Sequence, residues 1–166
     1  MSTAAETLAF LREVRLFKDI GDAELAALGD SMRDRALKRG QVLCREGDPG
    51  EEMFVVRRGS FVVSKAVTGR VEQVLARIGP GDFFGEMSLF ARAPRSATVQ
   101  ADTDATLLVL DRAALTRMTE QSPRAAAAFF YALVQVFIER LRASGDLVAE
   151  VTRWGLEATG LDVDAR

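Results

Sequence analysis

Apolar and polar residues alternate with two different periods along this chain, and the change of period divides it. Between residues 5 and 17, Leu8, Leu11 and Leu16 recur among charges, the spacing of a short amphipathic helix. A second helix is predicted over 22–37, "DAELAALGDSMRDRAL", with Asp22 as N-cap and Leu25 and Leu28 on its apolar side. From Lys38 the period becomes two. "GQVLCREGDPG" reads as a strand entering a Gly/Asp/Pro turn, and "EMFVVRRGSFVVSKAV" as two strands about a tight turn at Arg58-Gly59. A Thr-Gly turn, a strand with Val71, Val74 and Ile78, and a Gly-Pro-Gly break follow. "ATVQADTDATLLVLDR" supplies two more strands. Short strands with regular turn signals over 38–111 predict a small sandwich or barrel-like roll.

After Asp111 the helical period returns. "RAALTRMTEQ" predicts a short helix, and Ser122-Pro123 restarts a long one, with serine as cap and proline at the first helical position. Phe130, Val134, Phe137, Leu141, Ser144, Val148 and Val151 then alternate steps of four and three, a seam of three heptads. Phe129, Leu133 and Val136 form a second stripe beside it. One stripe suits the parent domain and the other a second copy; a single helix buried along one broad face is the alternative. Ser144-Gly145 interrupts the seam, and a mid-helix glycine costs ~1 kcal/mol. The organisation predicted is one domain over 1–155, with helices at 1–37 and 112–155 around the strand region, and a patternless tail at 156–166.

The composition narrows the chemistry. With 166 residues, 48% of them hydrophobic, the chain can build one real core. A net charge of −2 and a pI of about 5.3 leave no basic footprint for nucleic acid. There is no histidine, which removes the usual general base and the commonest metal ligand. Cys44 is the only cysteine, so no disulfide or Cys-based metal centre forms within one chain; it reads as a small buried hydrophobe. The start carries no signal peptide, and the most apolar run, 125–138, is too short for a bilayer. A cytoplasmic protein is expected, and the start at Met1 suits a complete chain.

"FGEMSLFARAPRSATV", residues 84–99, sets Glu86 and Arg95 nine residues apart in a loop between apolar runs. Gly85 lets a ligand approach the backbone, and amides opening the turn after it favour an anion. Arg95 offers a planar fork matched to phosphate, and Ser96 adds a hydroxyl. Glu86 repels a phosphate but accepts well from sugar hydroxyls. The loop therefore suits one phosphate beside one ribose hydroxyl, the shape of a cyclic nucleotide. As two residues alone, an intraloop Glu86–Arg95 ion pair explains them as well.

The stretch resembles the phosphate-binding cassette of the cyclic nucleotide-binding domain family: Phe-Gly-Glu, a small residue and leucine, then Pro-Arg-Ser-Ala-Thr-Val. "LFKDIGDAELAAL" is similar to the family's entry helices and "GQVLCREGDPGEEMFVVRRGSFVV" to its first strands, particularly those of bacterial cyclic nucleotide-gated channels. "SPRAAAAFFYALVQVFIERL" resembles its closing helix, so the likeness covers roughly 10–150. It implies an α+β fold, an antiparallel β-roll of jelly-roll type flanked by N-terminal helices and a long C-terminal helix. It also implies that Arg95, Ser96, Gly85 and Ala97 hold the cyclic phosphate. Glu86, with Gly85, would take the ribose hydroxyl. Val63, Ala76 and Ile78 would lie against the base, and Arg140 on the lid helix would touch it. The ligand expected is cAMP, with cGMP second, and no other cofactor.

The chain departs from the family's better-known branches. Too few residues follow Trp154 for a DNA-binding helix-turn-helix, and neither a membrane span nor a kinase is visible. The expectation is a non-enzymatic sensor in which binding moves the C-terminal helix and modulates an unidentified protein effector, with a homodimer through helix 123–153. The alternatives are a dimeric scaffold or interaction module that binds no nucleotide, with Trp154, Leu156 and Leu161 as contacts, or a regulatory piece of a larger channel or transcription factor.

Overall fold

The computed structural model of the chain describes residues 2–69 and 71–158. Two compact units divide the chain, Met1–Phe129 and Phe130–Arg166. The first holds the eight strands of the described residues. Helix α1 (Ala4–Glu13) opens with a reciprocal cap: Thr3 Oγ1 accepts from Glu6 N–H, and Glu6 Oε2 accepts from Thr3 N–H. The helix predicted to run through residue 17 breaks at Val14, whose backbone is extended (φ −78°, ψ 120°), and Arg15–Phe17 form one 3₁₀ turn. The break lets Val14, Leu16 and Phe17 all turn inward.

Helix α2 spans Asp22–Asp30, shorter than the predicted 22–37, and its N-cap is Gly21 rather than Asp22. Asp22, one residue inside, complements the N-terminal dipole and pairs with Arg12 at 2.7 Å. Residues 33–37 are strand β1 (Arg33–Leu37) because tertiary pairing overrides their helical composition: Arg33 faces Val109 and Leu37 faces Ala105 on the antiparallel β8. The charges that look like a helix surface are matched across the sheet. Arg33 bonds to Glu52, and Asp34 lies 3.5 Å from Arg57.

The remaining strands are β2 (Val42–Cys44), β3 (Glu52–Arg58), β4 (Phe61–Thr68), β5 (Val71–Ile78), β6 (Phe83–Phe84), β7 (Thr98–Ala101) and β8 (Ala105–Asp111). They form two antiparallel four-stranded sheets, ordered β1-β8-β3-β6 and β2-β7-β4-β5. Phe54, Val56, Phe61, Val99, Leu107 and Val109 meet in the core. Along β3 and β8 the intervening Met53, Val55, Leu108 and Leu110 are buried too. Helix α3 (Glu86–Ala91) packs on β3, and α4 (Arg112–Gln121) on β8. The two central strands are therefore apolar without alternation, while β5 at the edge is exposed along most of its length. The β3–β4 turn needs Gly59: its φ is +81°, and a Cβ there would sit 2.7 Å from that of Ala105.

Helix α5 (Pro123–Ala158) starts at its proline, and the Ser122 carbonyl accepts from Ala126 N–H. Its first residues belong to the strand-bearing unit, where Phe129 meets Phe17 at 6.4 Å between ring centroids. From Phe130 onward it forms the second unit. There the seam residues Val134, Leu141, Val148 and Val151 are exposed, as is Trp154. Leu161 and the rest of the predicted tail from 159 lie outside the described residues. Among the described residues no helix is long and apolar enough to cross a membrane.

Asp111 ends β8 and caps α4, its Oδ1 accepting from Ala114 N–H at 2.7 Å. Asp111→Ala should lower stability by about 1 kcal/mol and Asp111→Asn by less. Urea midpoints at unchanged slope measure this; equal midpoints for wild type and Asp111→Ala would remove the cap from the account.

Candidate functional site

Strand β6 delivers the chain to Gly85, which takes the left-handed conformation (φ +84°) and starts α3. A Cβ at Gly85 would come within 2.7 Å of the Glu52 carbonyl and 2.8 Å of Arg95 Nη1. Glycine is required there by both backbone angle and space. Glu86 follows as the first residue of α3 and is only 6% exposed. The six-residue helix ends at Arg92, the one described non-glycine with positive φ (51°).

The chain then returns through Pro94 to Arg95. Its backbone is clamped to the preceding loop: Arg95 N–H donates to Asp48 O and Gly47 N–H to Arg95 O, both at 2.8 Å. The side chain goes inward and is 7% exposed. Nη1 donates to the Glu52 carbonyl at 2.8 Å, and the guanidinium lies over the Phe54 ring, 5.1 Å from its centroid. Phe54 in turn stacks on Phe84. The Nε–H is buried without a hydrogen-bond partner among the described residues. Gly50 closes the other side, since a Cβ there would meet Arg95 Nε and stand 2.6 Å from Cζ. Among the described residues no carboxylate forms a salt bridge with Arg95. A buried charge held by one carbonyl and one aromatic face is incompletely compensated, and an anion would complete it.

Ser96 is exposed at the cassette surface, and Ala97 is half-buried. The Ala97 carbonyl faces Cys44 Sγ at 4.0 Å. Cys44 is half-buried against the core, and that burial pushes its thiol pKa up, with the nearby Arg95 charge acting the other way. The expected base-side residues separate. Val63 and Ile78 pack against the core, and Ala76 faces Val63 across the β4–β5 pair but is exposed. Arg140 lies on the exposed surface of α5, in the second unit. The structure thus brings Gly85, Glu86, Arg95, Ser96 and Ala97 into one loop-and-helix segment on the roll. Gly50, Glu52 and Phe54, which shape the arginine's slot, carry no local chemical signal. "DPG" reads only as a turn.

With this geometry in view, the comparisons with known proteins are consistent. The family model described as cyclic nucleotide-binding domain matches residues 34–122. The chain belongs to the cyclic nucleotide-binding domain family. It is 43% identical over 116 residues to the cyclic nucleotide-gated potassium channel mll3241 of Mesorhizobium japonicum, covering 70% of this chain and 31% of the channel. It therefore spans about a third of the length of that relative. A CRP-like cAMP-activated global transcriptional regulator of Mycobacterium tuberculosis is 26% identical over 85% of this chain and 61% of the regulator. Among solved structures, a cyclic nucleotide-binding domain from Methylobacillus flagellatus superimposes with a TM-score of 0.74. It shares 30% identity and is matched over 89% of this chain and 83% of that one. These matches agree with the antiparallel roll and its flanking helices.

The slot predicts a coupled pair. Gly50→Ala should cost about 1–3 kcal/mol, because the added methyl overpacks against the guanidinium. In an Arg95→Ala background the same change should cost far less. A double-mutant cycle in urea reads the difference, and additive losses would show that the contact is not the cause.

Proposed function

We propose that the chain is a cyclic nucleotide sensor, with cAMP the preferred ligand and cGMP second. The observation that carries the reading is Arg95, a buried guanidinium with no carboxylate in salt-bridge distance among the described residues. A cyclic phosphate brings one negative charge and oxygens that a planar fork can bind. Gly85, Ser96 and Ala97 line the phosphate from the same segment. Glu86 accepts from the ribose 2′-hydroxyl, helped by the close approach that Gly85 permits. Val63, Ala76 and Ile78 give the base a largely apolar wall. The choice of cAMP is supported by relatives named as cAMP-activated or cAMP-dependent regulators.

In this reading the protein binds and regulates in the cytoplasm, and does not catalyse. Binding at the cassette repositions the C-terminal helix, with Arg140 its candidate for the base, by favouring one of two helix arrangements; the ligand's differential affinity sets the shift. The exposed heptad residues Val134, Leu141, Val148 and Val151 favour a second copy as the partner of α5. A protein effector receives the signal.

Calorimetry on nucleotide-stripped protein tests the ligand. Wild type should bind cAMP, and Arg95→Ala should lose roughly thirty-fold or more, as expected when one side of a buried charged hydrogen-bond pair is removed. An Arg95→Ala variant that binds as wild type does would overturn the assignment. Spin labels on the roll and at Ser144 test the helix response. Their distance distribution should change with cAMP, and identical distributions would reject the repositioning.

A further inference from the structure

Arg112 is the first residue of α4, immediately after the last strand of the roll. Its side chain does not run along its own helix. Nε donates to the Leu89 carbonyl and Nη2 to the Ser88 carbonyl, both at 3.1 Å. Those two carbonyls fall among the last four of α3, the ones that a helix leaves without internal partners. The six-residue α3 cannot supply them itself, and its chain turns away through the left-handed Arg92. The planar fork of Arg112 therefore does what a C-cap does, and its charge suits the negative end of the helix.

Arg112 has a second attachment. Nη1 lies 3.6 Å from Glu51 Oε1, and the backbone N–H donates to the Glu51 carbonyl at 3.1 Å. Glu51 sits between Gly50, which packs on the Arg95 guanidinium, and Glu52, whose carbonyl holds Arg95 Nη1. One side chain thus joins three pieces: the helix that begins with Glu86, the turn that shapes the arginine's slot, and α4. Lysine, a single point charge on a flexible stem, cannot hold this geometry.

We propose that Arg112 is a positioning residue that makes α3 and α4 move as one, so that ligand at the cassette is felt in the C-terminal helical region through this fork. The inference rests on the reading of Arg95 and Glu86 as ligand-binding groups. Without Arg112, α3 keeps its place in the sequence but loses its tie to α4, and Ser88 and Leu89 are left with unanswered carbonyls.

Hydrogen exchange on the full chain, with and without saturating cAMP, tests the tie. In wild type, cAMP should alter amide exchange in both 86–91 and 112–121. In Arg112→Met, and in Arg112→Lys where the positive charge is retained, cAMP should still protect 86–91 while the response of 112–121 is lost. Affinity should fall roughly tenfold in each, the usual scale for a charged hydrogen bond. A response of 112–121 equal to wild type in both variants would overturn the proposal, as would a wild type in which 112–121 ignores cAMP. If wild type gives no heat with cAMP or cGMP, the parent reading falls and this inference with it. If wild type binds and Arg95→Ala does not, an unchanged α4 response condemns the Arg112 tie alone.

Discussion

A positive charge buried, among the described residues, without a carboxylate in salt-bridge distance organises this protein. Arg95 lies inside the roll's surface with one carbonyl and one phenyl ring for company. Removing a guanidinium from water costs several kcal/mol in a folded protein, and these two contacts return only part of it. The surroundings are explained by that single cost. Two glycines, Gly50 and Gly85, press from either side because any side chain would evict the guanidinium. The backbone on both sides of Arg95 is clamped to residues 47 and 48, so the side chain cannot relieve itself by swinging outward with its loop. The folded state holds the cation where an anion gains most from meeting it, in surroundings drier than bulk water.

The rest of the roll serves to make that placement rigid. Phe54 is part of the core and also the floor under the guanidinium, so the aromatic contact is fixed by the packing of Val56, Leu107 and Val109 beside it. Phe84 continues the same stack and ends one residue before Gly85. Core and site are therefore not separate regions. A change in the volume of the apolar interior is passed to the arginine through the ring it lies on.

Much of this was legible in the sequence, for identifiable reasons. Strands β3 and β4 announce themselves by β-branched and aromatic runs about the Arg58-Gly59 turn, and β7 and β8 by apolar runs either side of Asp102-Thr103-Asp104. The Glu86–Arg95 segment is a contiguous motif, readable without knowing where it folds. Strand β1 was hidden because Arg33, Arg35, Ala36 and Leu37 are good helix formers, and only pairing with β8 and the charges of Glu52 and Arg57 make the segment extended. The break at Val14 was hidden because leucine spacing continues across it. Gly50 and Arg112 were hidden for a deeper reason: each acts on a segment far away in sequence, and no local pattern encodes that meeting.

The sheet order carries one more consequence, for the birth of the protein. The first strand of the roll pairs with the last, Arg33 beside Val109, and β2 pairs with β7. The β1-β8-β3-β6 sheet cannot close until the chain has been made through Asp111, whereas the β2-β7-β4-β5 sheet has all its strands by Ala101. The arginine's own contacts all precede it in the chain, but β3, which carries Glu52 and Phe54, gains its β8 neighbour only afterwards. Such non-local closure places this roll among the slower-folding topologies. The arginine's slot thus gains its full strand support late: in a fragment that stops short of β8, β3 keeps only its two-residue pairing with β6.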